Sequence, residues 1–249
     1  MIPGTRRLCR FRICRVRIWI ALGLTFLLLN SFGNAEAKSP CHFAEYFLYG
    51  LMFVGLWANG KFNLRKRIPV PRQWAPGLYI FLVWLCGMVF ETSLTVNGQG
   101  VGGVHPATIP SFILAQGDYI PIAIVSYFVV RQWRLSFREM FFVAGGKSLT
   151  EGLIFTGVLT ALLLSPQFFL APIVLGYYTL AYSSFIALPL LFIDEELLWK
   201  REAQKKQHSM SYFWLLGFLL ALPIRIFWGL VYSPIVTWLF DLPPNTVGG

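Results

Sequence analysis

Apolar residues run through this chain in blocks near the ~20 residues that a membrane-crossing helix needs, and the polar positions between them gather in short basic segments. Six such blocks follow an N-terminal segment, at about 41–58, 76–97, 108–130, 141–165, 172–193 and 212–240. The pattern predicts an all-α fold, a polytopic membrane helix bundle of six transmembrane helices. The chain before them is basic and then apolar from Ile18 to Leu29, and Ala35-Glu36-Ala37 fits the small-x-small rule for signal cleavage. Residues 1–37 therefore read as a signal peptide cleaved after Ala37, or as an uncleaved signal anchor. Residues 38–249 read as one polytopic membrane domain.

Composition agrees with that division. Hydrophobic residues make up 56% of the chain and charged ones 13%, about half the charge of an ordinary soluble domain. The net charge of +10 does not point to nucleic acid, because its position explains it better. Six Arg lie between Arg6 and Arg17, five Lys or Arg between Lys61 and Arg72, three between Arg131 and Arg138, and four between Lys200 and Lys206. Each cluster abuts an apolar block, and with six spans every one of them falls on the same side, which the positive-inside rule makes cytoplasmic. The C-terminal segment would then lie on the outer side of a bacterial-type cytoplasmic membrane.

The candidate chemistry lies in polar residues placed within apolar blocks. A charge at the bilayer centre costs on the order of 2.5–3.5 kcal/mol on insertion scales, so such residues face partners or water. Counting along ideal helices at 1.5 Å per residue, Asp118 lies ~15 Å below the outer end of its span, while Glu91 and Arg225 lie ~22 and ~20 Å above the inner ends of theirs. Glu91 and Arg225 share a depth, with Asp118 a little deeper, which suggests that Arg225 pairs with Glu91 and that Asp118 lies close by. In "LAQGDYIPI", Gly117 carries no side chain, and Pro121 cannot donate to the carbonyl of Gly117. That freed carbonyl, with Gln116 and Asp118, would form the wall of a polar pocket at a break in the helix. Ser111, Ala115, Asp118 and Ser126 share one face of it.

Other features carry less. Lys147 and Glu151 stand four apart and can pair along a helix, with Lys147 reaching the inner interface on its stem. Ser148, Gly152, Thr156 and Thr160 form a small, polar stripe of the kind that marks close helix contact. Tyr182 reads mainly as packing. Gly98, Gly100 and Gly103 match G-x-G-x-x-G, but no strand precedes them, so a flexible outer loop beside His105 is the better reading. Asp194-Glu195-Glu196 reads as a solvated end of an inner helix. The four cysteines, Cys9, Cys14, Cys41 and Cys86, form no disulfide framework or zinc motif, and neither cofactor nor metal is expected.

The sequence thus supports a multi-pass membrane protein that binds or transports a small or lipophilic molecule or ion, with Glu91, Gln116, Asp118 and Arg225 as binding residues and the lipid bilayer as its surroundings. An intramembrane acid–base enzyme acting on a lipid or isoprenoid is one alternative. A non-catalytic assembly or scaffold protein, whose charges only specify packing, is the other.

Overall fold

Apolar side chains in runs this long leave the backbone no water to bond, and a helix satisfies each peptide group within its own segment. The computed structural model describes residues 16–25, 42–96, 108–200 and 208–241, and no strand occurs among them. The cleavage motif at Ala37, the glycine loop with His105, the cysteines Cys9, Cys14 and Cys41, and the last eight residues lie outside the described residues.

The helices, in chain order, are α1 (Val16–Thr25), α2 (His42–Phe62), the short α3 (Leu64–Arg67), α4 (Ala75–Val96), α5 (Thr108–Trp133) and α6 (Phe137–Thr150). After α6 a π-helical turn, Glu151–Phe155, leads to α7 (Val158–Leu163). Then come α8 (Ala171–Ile186), α9 (Met210–Phe227), a second π-helical segment at Trp228–Tyr232, and α10 (Ser233–Leu239).

Among the described residues, four stretches are long and apolar enough to cross a membrane: Ala75–Thr92, Phe112–Trp133, Phe168–Ile186 and Met210–Leu239. The other two expected spans differ for identifiable reasons. The first coincides with α2, which has the length but carries Glu45, Asn59 and Lys61 within it. The expected span at 141–165 is not one helix. Its first part, α6, has 14 residues, nearly all buried, and the helix then widens into the π turn and ends at Gly157, whose φ of 65° lies in the left-handed region that favours glycine.

Burial is arranged for an apolar solvent. Large apolar side chains stand exposed around the outside, among them Ile124 and Phe128 on α5, Leu215 and Leu219 on α9, and Trp238 on α10. Lys147, Glu151, Asp118, Glu91 and Arg225 are all buried. A soluble fold would reverse this distribution, so it agrees with a membrane location.

Helix α6 lies at the centre, and its tightest partner is α9. A Cβ placed on Gly146 would stand 2.0 Å from the carbonyl oxygen of Trp214, and one on Gly217 would stand 1.9 Å from that of Val143. The two backbones therefore touch directly, as small residues permit in membrane helices. Thr150 reinforces the seam by donating to the carbonyl of Phe218 at 3.1 Å. The small-residue contact thus falls one turn before the stripe read from the sequence. Within that stripe, the Thr156 hydroxyl joins its own amide in donating to the carbonyl of Glu151, and Thr160 donates to that of Leu153 at 2.7 Å across the break.

The three described basic loops meet at one end of the bundle. Arg65 pairs with Glu195, and Lys66 lies 3.6 Å from Glu196. The amide of Lys200 donates to the carbonyl of Arg131, and the Trp199 indole to that of Leu135. Asn59 closes the same junction, donating to the carbonyls of Gly55 and Leu191 and accepting from the amide of Arg65. Glu195 is buried rather than solvated, and that burial raises its carboxyl above the ordinary value even with Arg65 beside it.

Helix α1 also packs into the bundle. Val16 and Ile20 are buried, and the Trp19 ring lies 5.2 Å from that of Trp214.

Candidate functional site

Lys147 stands at the centre of the buried charges. Helix α6 presents it one residue after the Gly146 contact, so the tight α6–α9 seam leaves it no route to an interface. Its ammonium lies 3.4 Å from Oδ2 of Asp118 on α5 and 3.5 Å from Oε2 of Glu151, four residues along its own chain. The face of Tyr182 on α8 completes the surroundings, its ring centroid 4.4 Å from Nζ, within the range of a cation–π contact. The expectation that Lys147 reaches the membrane interface is therefore overturned. Its expected pairing with Glu151 is present.

Glu151 is the most strongly held carboxylate. Arg225 donates to both of its oxygens, from Nε to Oε2 at 3.0 Å and from Nη2 to Oε1. Such a two-pronged arrangement suits the planar guanidinium. Two aromatic rings flank it, Phe155 at 5.5 Å and Trp228 at 5.1 Å from the guanidinium carbon. Phe155 belongs to the first π turn and Trp228 to the second, so both irregular segments deliver a ring to the same cation. π-helical turns are rare and frequently mark functional sites.

The expected pairing of Arg225 with Glu91 is replaced by this one. Equal depth along two spans does not make two helices neighbours, and α9 packs against α6 through Gly146 and Gly217. Glu91 is fully buried on α4, where Tyr119 of α5, the residue after Asp118, donates to its Oε2 at 3.0 Å. Gln116 belongs to that seam too. It accepts from the Trp84 indole at 2.7 Å and donates to the carbonyl of Phe112 at 3.0 Å and the sulfur of Met88 at 3.1 Å.

The expected break in the third span is absent. Helix α5 runs without interruption from Thr108 to Trp133 with Pro121 inside it. Gly117 serves close packing instead, since a Cβ there would stand 2.2 Å from the ring of Tyr232. The break falls in the fourth expected span, at Thr156–Gly157 after a π turn that begins at Glu151, while the sixth continues as one helix with a π segment starting three residues after Arg225.

Asp118 is held less completely than Glu151. Its Oδ2 accepts from Lys147, but Oδ1 is buried with no hydrogen-bond partner among the described residues. An unsatisfied buried acceptor costs about 1–3 kcal/mol, more when it carries charge. The four charges balance, two carboxylates against two cations, and a centre that only joined helices would be expected to satisfy all their oxygens.

Beside this centre, on the side of the basic loops, lies a small crevice of about 30 Å³ between α5 and α9 with α6 behind it. Its walls are apolar, chiefly Ile122, Val125 and Val129 from α5 and Leu220, Ala221 and Ile224 from α9. Lys147 and Ser126 are its polar lining. As expected, Ala115, Asp118 and Ser126 are buried together along α5. Among the described residues no three His, Cys, Asp or Glu side chains converge to hold a metal. Asp118 itself is not among the residues that line this crevice. No protein-family model matches the chain, and neither a curated protein nor a solved structure is significantly similar to it.

Proposed function

We propose that the chain is a transporter-like, multi-pass membrane protein that binds a small or lipophilic molecule at the Asp118–Lys147–Glu151–Arg225 centre. The observation that carries this reading is the buried Oδ1 of Asp118, which no donor among the described residues satisfies and which lies beside a balanced set of charges. π-helical turns frequently mark functional sites, and here one begins at Glu151 and another three residues after Arg225.

The six-span reading belongs to the same proposal. It takes α2 as the first span and α6, its π turn and α7 together as the fourth, with the basic end of the bundle in the cytoplasm. The burial of Val16 and Ile20 supports α1 as a signal anchor that stays with the bundle.

Mass spectrometry of small molecules that co-purify with the protein in mild detergent tests the binding claim. Wild-type protein is expected to carry a defined compound that Asp118→Asn protein, folded to the same thermal midpoint, has lost. Two folded proteins carrying only bulk lipid would contradict the reading and favour a scaffold whose charges specify packing.

A further inference from the structure

The cations at the basic end of the bundle fall into two groups. On α3, Arg65 is met by Glu195 and Lys66 by Glu196. The second group surrounds Trp199. Arg72 donates from Nη2 to the carbonyl of Trp199 at 3.4 Å, and the guanidinium of Arg134 lies over its ring at 5.6 Å. The next residue, Lys200, donates its amide to the carbonyl of Arg131 at 3.2 Å. Segments before α4, after α5 and after α8 thus bring cations to one tryptophan.

The acids of this end are committed elsewhere. Glu195 and Glu196 face α3, Asp194 accepts from the amide of Glu196, and Glu139 accepts from the amide and hydroxyl of Ser136. Among the described residues no carboxylate pairs with Arg72, Arg131 or Lys200, and all three are exposed. Most of their donors are unspent. Arg131 gives one N–H to the Tyr127 hydroxyl at 3.2 Å, Arg72 gives one to Trp199, and the Lys200 ammonium bonds to no described residue.

Position sets the kind of anion that fits. Arg131 lies in the last turn of α5, at the end of the apolar stretch Phe112–Trp133, and Arg72 lies three residues before the stretch that starts at Ala75. Trp74 is exposed beside it, and the Trp133 indole donates to the Tyr212 hydroxyl at 3.0 Å. Tryptophan and tyrosine gather in this way at the headgroup level of a bilayer. Ile124 and Phe128 stand seven and three residues before Arg131 on the same face of α5, and both are exposed and apolar. An anion with an apolar tail can therefore meet the cations and cover that face together, whereas a free phosphate or an acidic peptide would leave it bare.

We propose that the headgroup phosphate of an anionic phospholipid docks on Arg72, Arg131 and Lys200 around Trp199, with an acyl chain lying along Phe128 and Ile124 of α5. The site is separate from the buried charge centre and depends only on the membrane location of the chain.

Native mass spectrometry of the full-length protein in a neutral detergent tests this, with phosphatidylglycerol and phosphatidylcholine of identical acyl chains as probes. Phosphatidylglycerol is expected to bind at about tenfold lower concentration than phosphatidylcholine, with a preference that weakens as salt rises. Combining Arg72→Gln, Arg131→Gln and Lys200→Gln is expected to abolish the preference. Lys200→Gln alone, which removes no side-chain bond among the described residues, is expected to reduce it about threefold. Combining Lys61→Gln, Lys66→Gln and Arg67→Gln removes the same charge from the α2–α3 side and is expected to leave it in place. Equal binding of the two lipids by the wild-type protein, or an undiminished preference in Lys200→Gln, would overturn the proposal. Equal loss in the two triple variants would overturn it in favour of a diffuse field from the whole basic end. Displacement of phosphatidylglycerol by inorganic phosphate at matching concentration would make the site one for free phosphate and not for a lipid.

Discussion

Arg225→Met is expected to destabilise the protein by about 3–5 kcal/mol, because it leaves Glu151 buried with Lys147 as its remaining charged partner, itself shared with Asp118. The informative comparison is between two double variants. Arg225→Met with Glu151→Met removes one charge of each sign, leaves Asp118 paired with Lys147, and is expected to recover most of the loss. Arg225→Met with Glu91→Met leaves Glu151 in place and is expected to recover little, since Glu91 accepts from Tyr119 and not from Arg225. Unfolding titrations in mixed detergent micelles, read as a double-mutant cycle, supply the coupling energies. Equal rescue by the two doubles would refute the assignment of Arg225 to Glu151.

The second large effect comes from the α6–α9 seam. Gly146→Val and Gly217→Val each place a side chain against a carbonyl oxygen of the facing backbone, and neither helix can yield without separating from the other. Overpacking of this kind costs about 1–3 kcal/mol where side chains can adjust, and the backbone contact places these two at or above the upper end. Gly50→Val is the control. Nothing lies within 4 Å of a Cβ at Gly50, so its change is expected to stay within about 0.5 kcal/mol. A measurable loss confined to Gly146 and Gly217, by the same unfolding titration, supports direct backbone contact. Equal tolerance at all three positions would show that the helices are not in contact there.

The helical class and the gathering of the basic loops were legible in the sequence because both follow from one-dimensional patterns. Long apolar blocks impose helix wherever they fall, and an even number of crossings returns each basic loop to the same end. The pairing of the charges was not legible in this way. Depth along a span gives one coordinate, and it placed Glu91, Asp118 and Arg225 at similar heights without saying which helices adjoin. The missing information lay in Gly145-Gly146 and Gly217, small residues that let α6 and α9 meet and bring Arg225 to Glu151. Lys147 was misread for a related reason. A lysine near the end of a span can reach an interface only if its helix borders one, and α6 is enclosed on nearly every side. The break in the chain was expected at Pro121, where proline removes a donor, yet α5 absorbs that loss and stays helical. The actual break follows Glu151, where no proline marks it. Gly157 was its one local signal, and the Thr160 hydroxyl reaches back across the break to the carbonyl of Leu153.

The most direct test of a binding centre is an experimental density map of the wild-type protein, purified in lipid nanodiscs from the membranes that make it and resolved well enough to show side chains. A binding centre predicts non-protein density with an atom within hydrogen-bond distance of Oδ1 of Asp118. A donor from this chain itself at that oxygen would contradict it and make the four charges a lock between helices.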